Sequence, residues 1–151
     1  MQKLLLSFAV ALLVAGSSAA AEHSEVIARV QTFVEGFNKG DTKAATASCT
    51  EEMSIIDDFP PHEWHGAGAL ANWLRDYEID AKKNGITDGI VTLGKARRLD
   101  NNGERAYVVI PASYSYKQNG KTVKETGAVF TATLKKTEAG WRITGWCWAR
   151  H

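Results

Sequence analysis

The chain has 151 residues, 44% of them hydrophobic and 23% charged, a length and balance that fit one globular domain and not a disordered or fibrous chain. Eighteen Lys and Arg stand against seventeen Asp and Glu, for a formal net charge of +1. No stretch gathers basic residues into a stripe that could follow phosphates, which argues against a nucleic-acid partner.

The N-terminus reads as an export signal. Lys3 supplies a positive start, Leu4 to Val14 is an almost unbroken apolar run, and Ala19-Ala20-Ala21 offers small residues to a signal peptidase. The apolar run is about half of the ~20 residues that a bilayer-spanning helix needs, so no stable membrane anchor is expected. Residues 1–21 are therefore read as a signal peptide and residues 22–151 as the mature domain, exported to a periplasm or to the medium.

Beyond the signal, Val26, Ile27, Val30, Phe33, Val34 and Phe37 recur on one helix face, and Asn38-Lys39-Gly40 supplies a stop. Asp41 is a natural N-cap for a second, short helix through Ala44, Ala45 and Ser48. A brief strand, Met53 to Asp57, then runs into Pro60-Pro61, which cannot donate backbone hydrogen bonds and so imposes a loop. A third helix carries Leu70, Trp73, Leu74, Tyr77 and Ala81 on one face and ends at Asn84-Gly85.

From Thr87 onward, β-branched and aromatic residues alternate with turn signals at Asn101-Asn102-Gly103, Asn119-Gly120 and Ala139-Gly140. Four long strands in a meander follow, near Thr87 to Leu99, Glu104 to Lys117, Lys121 to Lys136 and Trp141 to Ala149. Pro111, Gly94 and Gly127 fall inside these strands and predict bulges or sharp bends. Helices first and a meander afterward is an α+β order, with three helices packed on one face of a strongly curved antiparallel sheet that encloses a cavity.

Several of these residues together resemble a known family. Val30-Gln31-Thr32-Phe33-Val34, Phe37 to Asp41, Thr50-Glu51-Glu52 before a short strand, and His65-Gly66 opening a helix are similar to the start of ketosteroid isomerase and the SnoaL-like group of the nuclear transport factor 2-like superfamily. Gly140-Trp141-Arg142-Ile143 resembles the lead into that group's last strand. The resemblance implies a cone-shaped fold around one small-molecule cavity, and homodimers are common in the group. Isomerases, cyclases, dehydratases and plain binding proteins share this fold, so it does not choose among them.

Carried over residue by residue, the resemblance places Asp57 at the isomerase's carboxylate base. Phe33 stands at the position of its oxyanion-hole tyrosine, and Ala128 at that of its second, protonated aspartic acid. Neither replacement can donate a hydrogen bond, so steroid isomerisation by the family's route is not expected. By the same resemblance Trp73, Ile110, Ala112, Tyr114 and Phe130 line the cavity, although ordinary core packing accounts for the same residues.

The segment from Ile55 to His65 is the richest in polar and aromatic side chains. Trp64 and His65 join the ligand-binding candidates, while Asp57 and Asp58 could equally be turn formers before the prolines. His62 and His65 are not spaced as a recognised metal pattern, and no metal is expected. No Gly-x-Ser-x-Gly motif, phosphate-cradling Gly loop or Walker signature is present, and no cofactor is expected.

Trp146 and Trp148 alternate with Gly145 and Cys147 on the last strand. By the resemblance the Gly145 and Cys147 face turns to the cavity, leaving the tryptophans for the outer side or for a partner subunit. The resemblance also brings Cys49 and Cys147 toward the inner end of the cavity, which leaves a disulfide and two separate buried thiols as alternatives.

The leading functional expectation is an exported domain that binds a small hydrophobic molecule, with Asp57 as a general base if it is an enzyme. The alternative is a non-catalytic carrier or protein-interaction module of the same fold.

Overall fold

The computed structural model describes residues 10–150, with side-chain surroundings from residue 18 onward. Lys3 and the beginning of the Leu4 to Val14 run lie outside the described residues. Three helices, α1 (Val10–Lys39), α2 (Thr42–Ala47) and α3 (Ala69–Lys83), accompany seven strands: β1 (Cys49–Ile56), β2 (Glu63–Ala67), β3 (Ile86–Leu93), β4 (Arg98–Asn101), β5 (Arg105–Gln118), β6 (Lys121–Thr137) and β7 (Gly140–Ala149).

The apolar face of α1 is buried as its spacing requires: Val26, Val30, Phe33 and Val34 enter the core and Phe37 packs against it. The helix ends in a Schellman motif, with the Gly40 N–H donating to Phe37 O, the Asp41 N–H donating to Gly36 O, and Gly40 at φ +66°. Asp41 at once caps α2 by accepting from the Ala44 N–H at 2.9 Å.

One mixed sheet runs in the order β2-β1-β7-β6-β5-β3, with β4 also paired to β5, and it does not close on itself. The expectation of a wholly antiparallel sheet is corrected, because β1 lies parallel to β7. A parallel pair needs a long connection, and here nearly the whole chain supplies it, so no local turn signal could reveal the pairing.

A second correction concerns the stretch after the prolines, which forms β2 and not the start of a helix. The chain reverses at Phe59 to His62, where the Asp57 N–H donates to His62 O and the His62 N–H to Phe59 O. β2 then pairs back on β1 with Ser54 opposite His65. It is a short edge strand with only Trp64 buried, so it carries little apolar alternation to read. The Thr87 to Leu99 strand is in fact two, β3 and β4, both paired with β5 and separated around Gly94. Pro111 of β5 faces that break. Its carbonyl accepts from the Gly94 N–H at 2.7 Å, and having no N–H it leaves no donor stranded there.

Bulges reverse the inward parity of the long strands. Along β7, Trp141 and Ile143 are buried, but the register with β6 slips between Thr133 and Leu134, and beyond it Trp146 is the inward residue. Along β6, Ala128, Phe130, Ala132 and Leu134 point inward. The register with β5 then shifts near Gly127, at φ +83°, and Tyr114 comes opposite Glu125.

The cysteines are not bridged. Cys49 lies opposite Ile143, whereas Cys147 lies opposite Ile56, which separates the two by about four residues of β7, on the order of 13 Å. A disulfide needs Cα atoms within about 7 Å. Both thiols are free, and burial pushes that of Cys49 up to about 12.

Candidate functional site

Between α1, α3 and the curved sheet lies a cavity of ≈ 320 Å³. Phe33 and Phe130 stack at 6.3 Å on its inner wall, and Trp146 lies within 6.1 Å of Phe33 and 5.6 Å of Phe130. Trp73 of α3 meets Trp146 edge-on at 4.9 Å and stacks with Tyr77, one helical turn further on, at 5.8 Å. These rings are held by one another, which gives the cavity preformed walls.

Asp57 stands among them, 9% exposed. It follows the last residue of β1, and the hairpin turn directs it inward. Its Oδ2 accepts from Trp73 Nε1 at 2.8 Å and its Oδ1 from the Asp58 N–H at 2.7 Å. Burial pushes the Asp57 carboxyl up to about 7, and the two donated hydrogen bonds only partly offset it. A group poised there exchanges its proton near neutrality.

Two further polar sets share the lining. Tyr77 and Tyr114 place their hydroxyls 2.6 Å apart, and burial raises both phenols. Since one hydroxyl donates to the other, the second keeps a proton to give elsewhere. Gly89 makes room for this pair, since a Cβ there would lie 2.3 Å from the Tyr114 hydroxyl. At the mouth, Arg150 forms ion pairs with both Asp58 and Glu125, and the Tyr116 hydroxyl donates to Glu125 at 2.9 Å. The indole N–H of Trp146 is buried without a partner.

Of the residues singled out from sequence, Phe33, Asp57, Trp73, Tyr114 and Phe130 line the cavity. Trp64 does not: it is buried beside Phe59 and donates to Asp76 Oδ2 at 2.9 Å. His65 is exposed and faces Glu63 at 3.2 Å. Ile110 and Ala112 are buried in the core without reaching the cavity wall.

The expected orientation of β7 is reversed. Trp146 and Trp148 line the cavity, and the outer aromatic face suggested for a partner is not formed. Tyr77, Glu125 and Arg150 were not singled out. Tyr77 follows Trp73 by four on the named face of α3, which was a usable signal, whereas Glu125 and Arg150 carried none. No group of three or more His, Cys, Asp or Glu converges as metal ligands among the described residues.

Solved structures share this architecture across nearly the whole chain. An NTF2-like protein with a cystatin-like fold from Novosphingobium aromaticivorans superposes with a TM-score of 0.75, covering 95% of this chain and 91% of its own at 16% identity. The chain has the nuclear transport factor 2-like fold.

A proposed dehydratase of the NTF2-like family from Streptomyces avermitilis matches at a TM-score of 0.70 and 15% identity, over 87% of this chain and 97% of its own. A proposed ketosteroid isomerase from Shewanella frigidimarina matches at 0.64 and 18%, over 85% and 97%. No family model matches the sequence, and no curated protein matches it. At these identities the agreement speaks for the fold of this chain and not for its chemistry.

Proposed function

We propose that this chain is an exported small-molecule-binding protein of the NTF2-like fold in which Asp57 acts as a general base on an acidic C–H or a bound water. The observation that carries the reading is the position of Asp57: a buried carboxyl on the wall of an open, aromatic-lined cavity, raised to about 7. A base is most effective when its pKa lies near the working pH. Trp73 holds the carboxyl in place, and each oxygen retains a lone pair for a substrate proton.

Donors for developing negative charge exist in spite of Phe33 and Ala128. The spare proton of the Tyr77–Tyr114 pair belongs to two cavity-lining residues. Neighbours of the same fold are described as a proposed ketosteroid isomerase and a proposed dehydratase, reactions that both move a proton, and the Asp57 carboxyl is the group here that could do so.

The reading of residues 1–21 as a signal is supported by the packing of α1. Ala19, Ala20 and Ala21 are exposed, and Val26 is the first described residue of the helix to enter the core. Removal near Ala21 would leave the described core intact. Among the described residues, no helix is long and apolar enough to cross a membrane.

Native mass spectrometry of protein purified from its own host tests export and binding together. The expected spectrum has a polypeptide mass beginning near Glu22 and an additional small-molecule mass that is lost on activation. A polypeptide retaining Leu4 to Val14 refutes export. Once the retained compound is known, Asp57→Asn is expected to lower its turnover by about two orders of magnitude or more. Unchanged turnover removes Asp57 from the chemistry.

A further inference from the structure

Half of the twenty residues lining the cavity are aromatic, yet its ionisable groups are unbalanced. Among the described residues of the lining, Asp57, Asp58, Asp80 and Glu125 contribute four carboxyl groups and Arg150 is the one cation beside them. That guanidinium is already engaged with Asp58 and Glu125. Asp57 on the inner wall and Asp80 on α3 are left without a cationic partner in the lining. Trp73 and the Asp58 amide give Asp57 two hydrogen bonds but no countercharge.

An anionic ligand would meet carboxylates at both the wall and the mouth, and Arg150 is shared between two of them. A neutral apolar ligand would satisfy the rings but would give the Asp57 carboxylate no countercharge, leaving its proton to neutralise it. A positively charged nitrogen meets both demands. It is attracted to the faces of Trp and Tyr rings, and it supplies the countercharge that Asp57 lacks.

We propose that the small molecule taken by this cavity carries an organic cation, an amine or quaternary ammonium on an apolar body, seated against the Trp73, Tyr77 and Trp146 rings and between Asp57 and Asp80. The proposal rests on the small-molecule reading above and adds the ligand's charge to it. Asp58 and Glu125 have a different task, holding Arg150 at the mouth.

The test uses three probes of nearly one shape: benzyltrimethylammonium, the neutral neopentylbenzene and the anionic benzylsulfonate. Quenching of the cavity tryptophans and calorimetry report binding. The ammonium is expected to bind about tenfold or more tightly than the neutral isostere, with no detectable binding of the sulfonate. In Asp57→Asn and in Asp80→Asn the preference for the cation is expected to narrow several-fold. Equal or tighter binding of the neutral isostere or the sulfonate overturns the cation assignment and leaves the small-molecule reading standing. Failure of all three probes to bind overturns both. A preference unchanged in both folded variants overturns the role given to these two carboxyl groups.

Discussion

Replacing Asp57 with Asn is expected to abolish a loss of stability that the parent protein suffers as pH rises from about 4 to about 7. In the folded chain burial raises this carboxyl from 3.8 to about 7. Between those values the folded state binds more protons than the unfolded state, so stability falls with rising pH and levels off above the folded pKa. A displacement of about three units corresponds to roughly 4 kcal/mol at 1.36 kcal/mol per unit.

The groups facing Asp57 are Asp58 beside it, Tyr77 on α3 and Cys147 on β7. The two latter ionise above this window, so the difference between parent and variant reports chiefly on Asp57. Urea midpoints at pH 4.5, 6 and 8 give the check. The variant should gain on the parent by up to about 3–4 kcal/mol across the series, whatever constant penalty its amide pays against the two N–H donors. Parallel curves would show that Asp57 ionises normally and would remove the electrostatic support for it as a base.

The second large effect is expected at Gly145, where the sheet has no room for a side chain. A Cβ there would lie 2.6 Å from the backbone oxygen of Ser54 and 3.5 Å from its Cβ. The obstruction is backbone of the paired strand, so no rotamer change relieves it, and β1 and β7 must separate. Overpacking of this kind costs typically 1–3 kcal/mol, and Gly145→Ala is expected near the upper end, a fall in melting temperature of roughly 10 °C for a domain of this size. Because β1 leads directly into Asp57, the Trp73–Asp57 hydrogen bond is expected to weaken as well. A variant within 0.5 kcal/mol of the parent would mean that the β1–β7 pairing is looser than its register implies.

Gly145 also marks where reading along the chain stops working. Up to Ile143 the alternation of β7 is regular, and extending it places Gly145 and Cys147 inward. The bulge between β6 and β7 inserts one residue, and since side chains alternate with a period of two, every position beyond it changes face. Trp146 and Trp148 thereby enter the cavity lining. The shift near Gly127 does the same to β6 and delivers Glu125 to Arg150. Gly127 signalled a bend, but a glycine does not say whether its strand bulges or by how many residues.

What the amino-acid sequence determined by itself was the set of elements with strong local periodicity and distinct ends. The α1 face from Val26 to Phe37, the Gly40 stop, the Asp41 cap, the α3 face from Leu70 to Tyr77 and the three long strands β5 to β7 all follow from interactions within a few residues, so local pattern specifies them. The resemblance added the fold and the inward position of Asp57. Tertiary structure alone decided the parallel β1–β7 pair, the edge strand β2, the separation of Cys49 from Cys147, the inward turn of Trp146 and Trp148, and the meeting of Arg150 with Asp58 and Glu125. Each of these depends on register between segments far apart in the chain, and register is chosen by burial of the whole assembly, a quantity that no single segment contains.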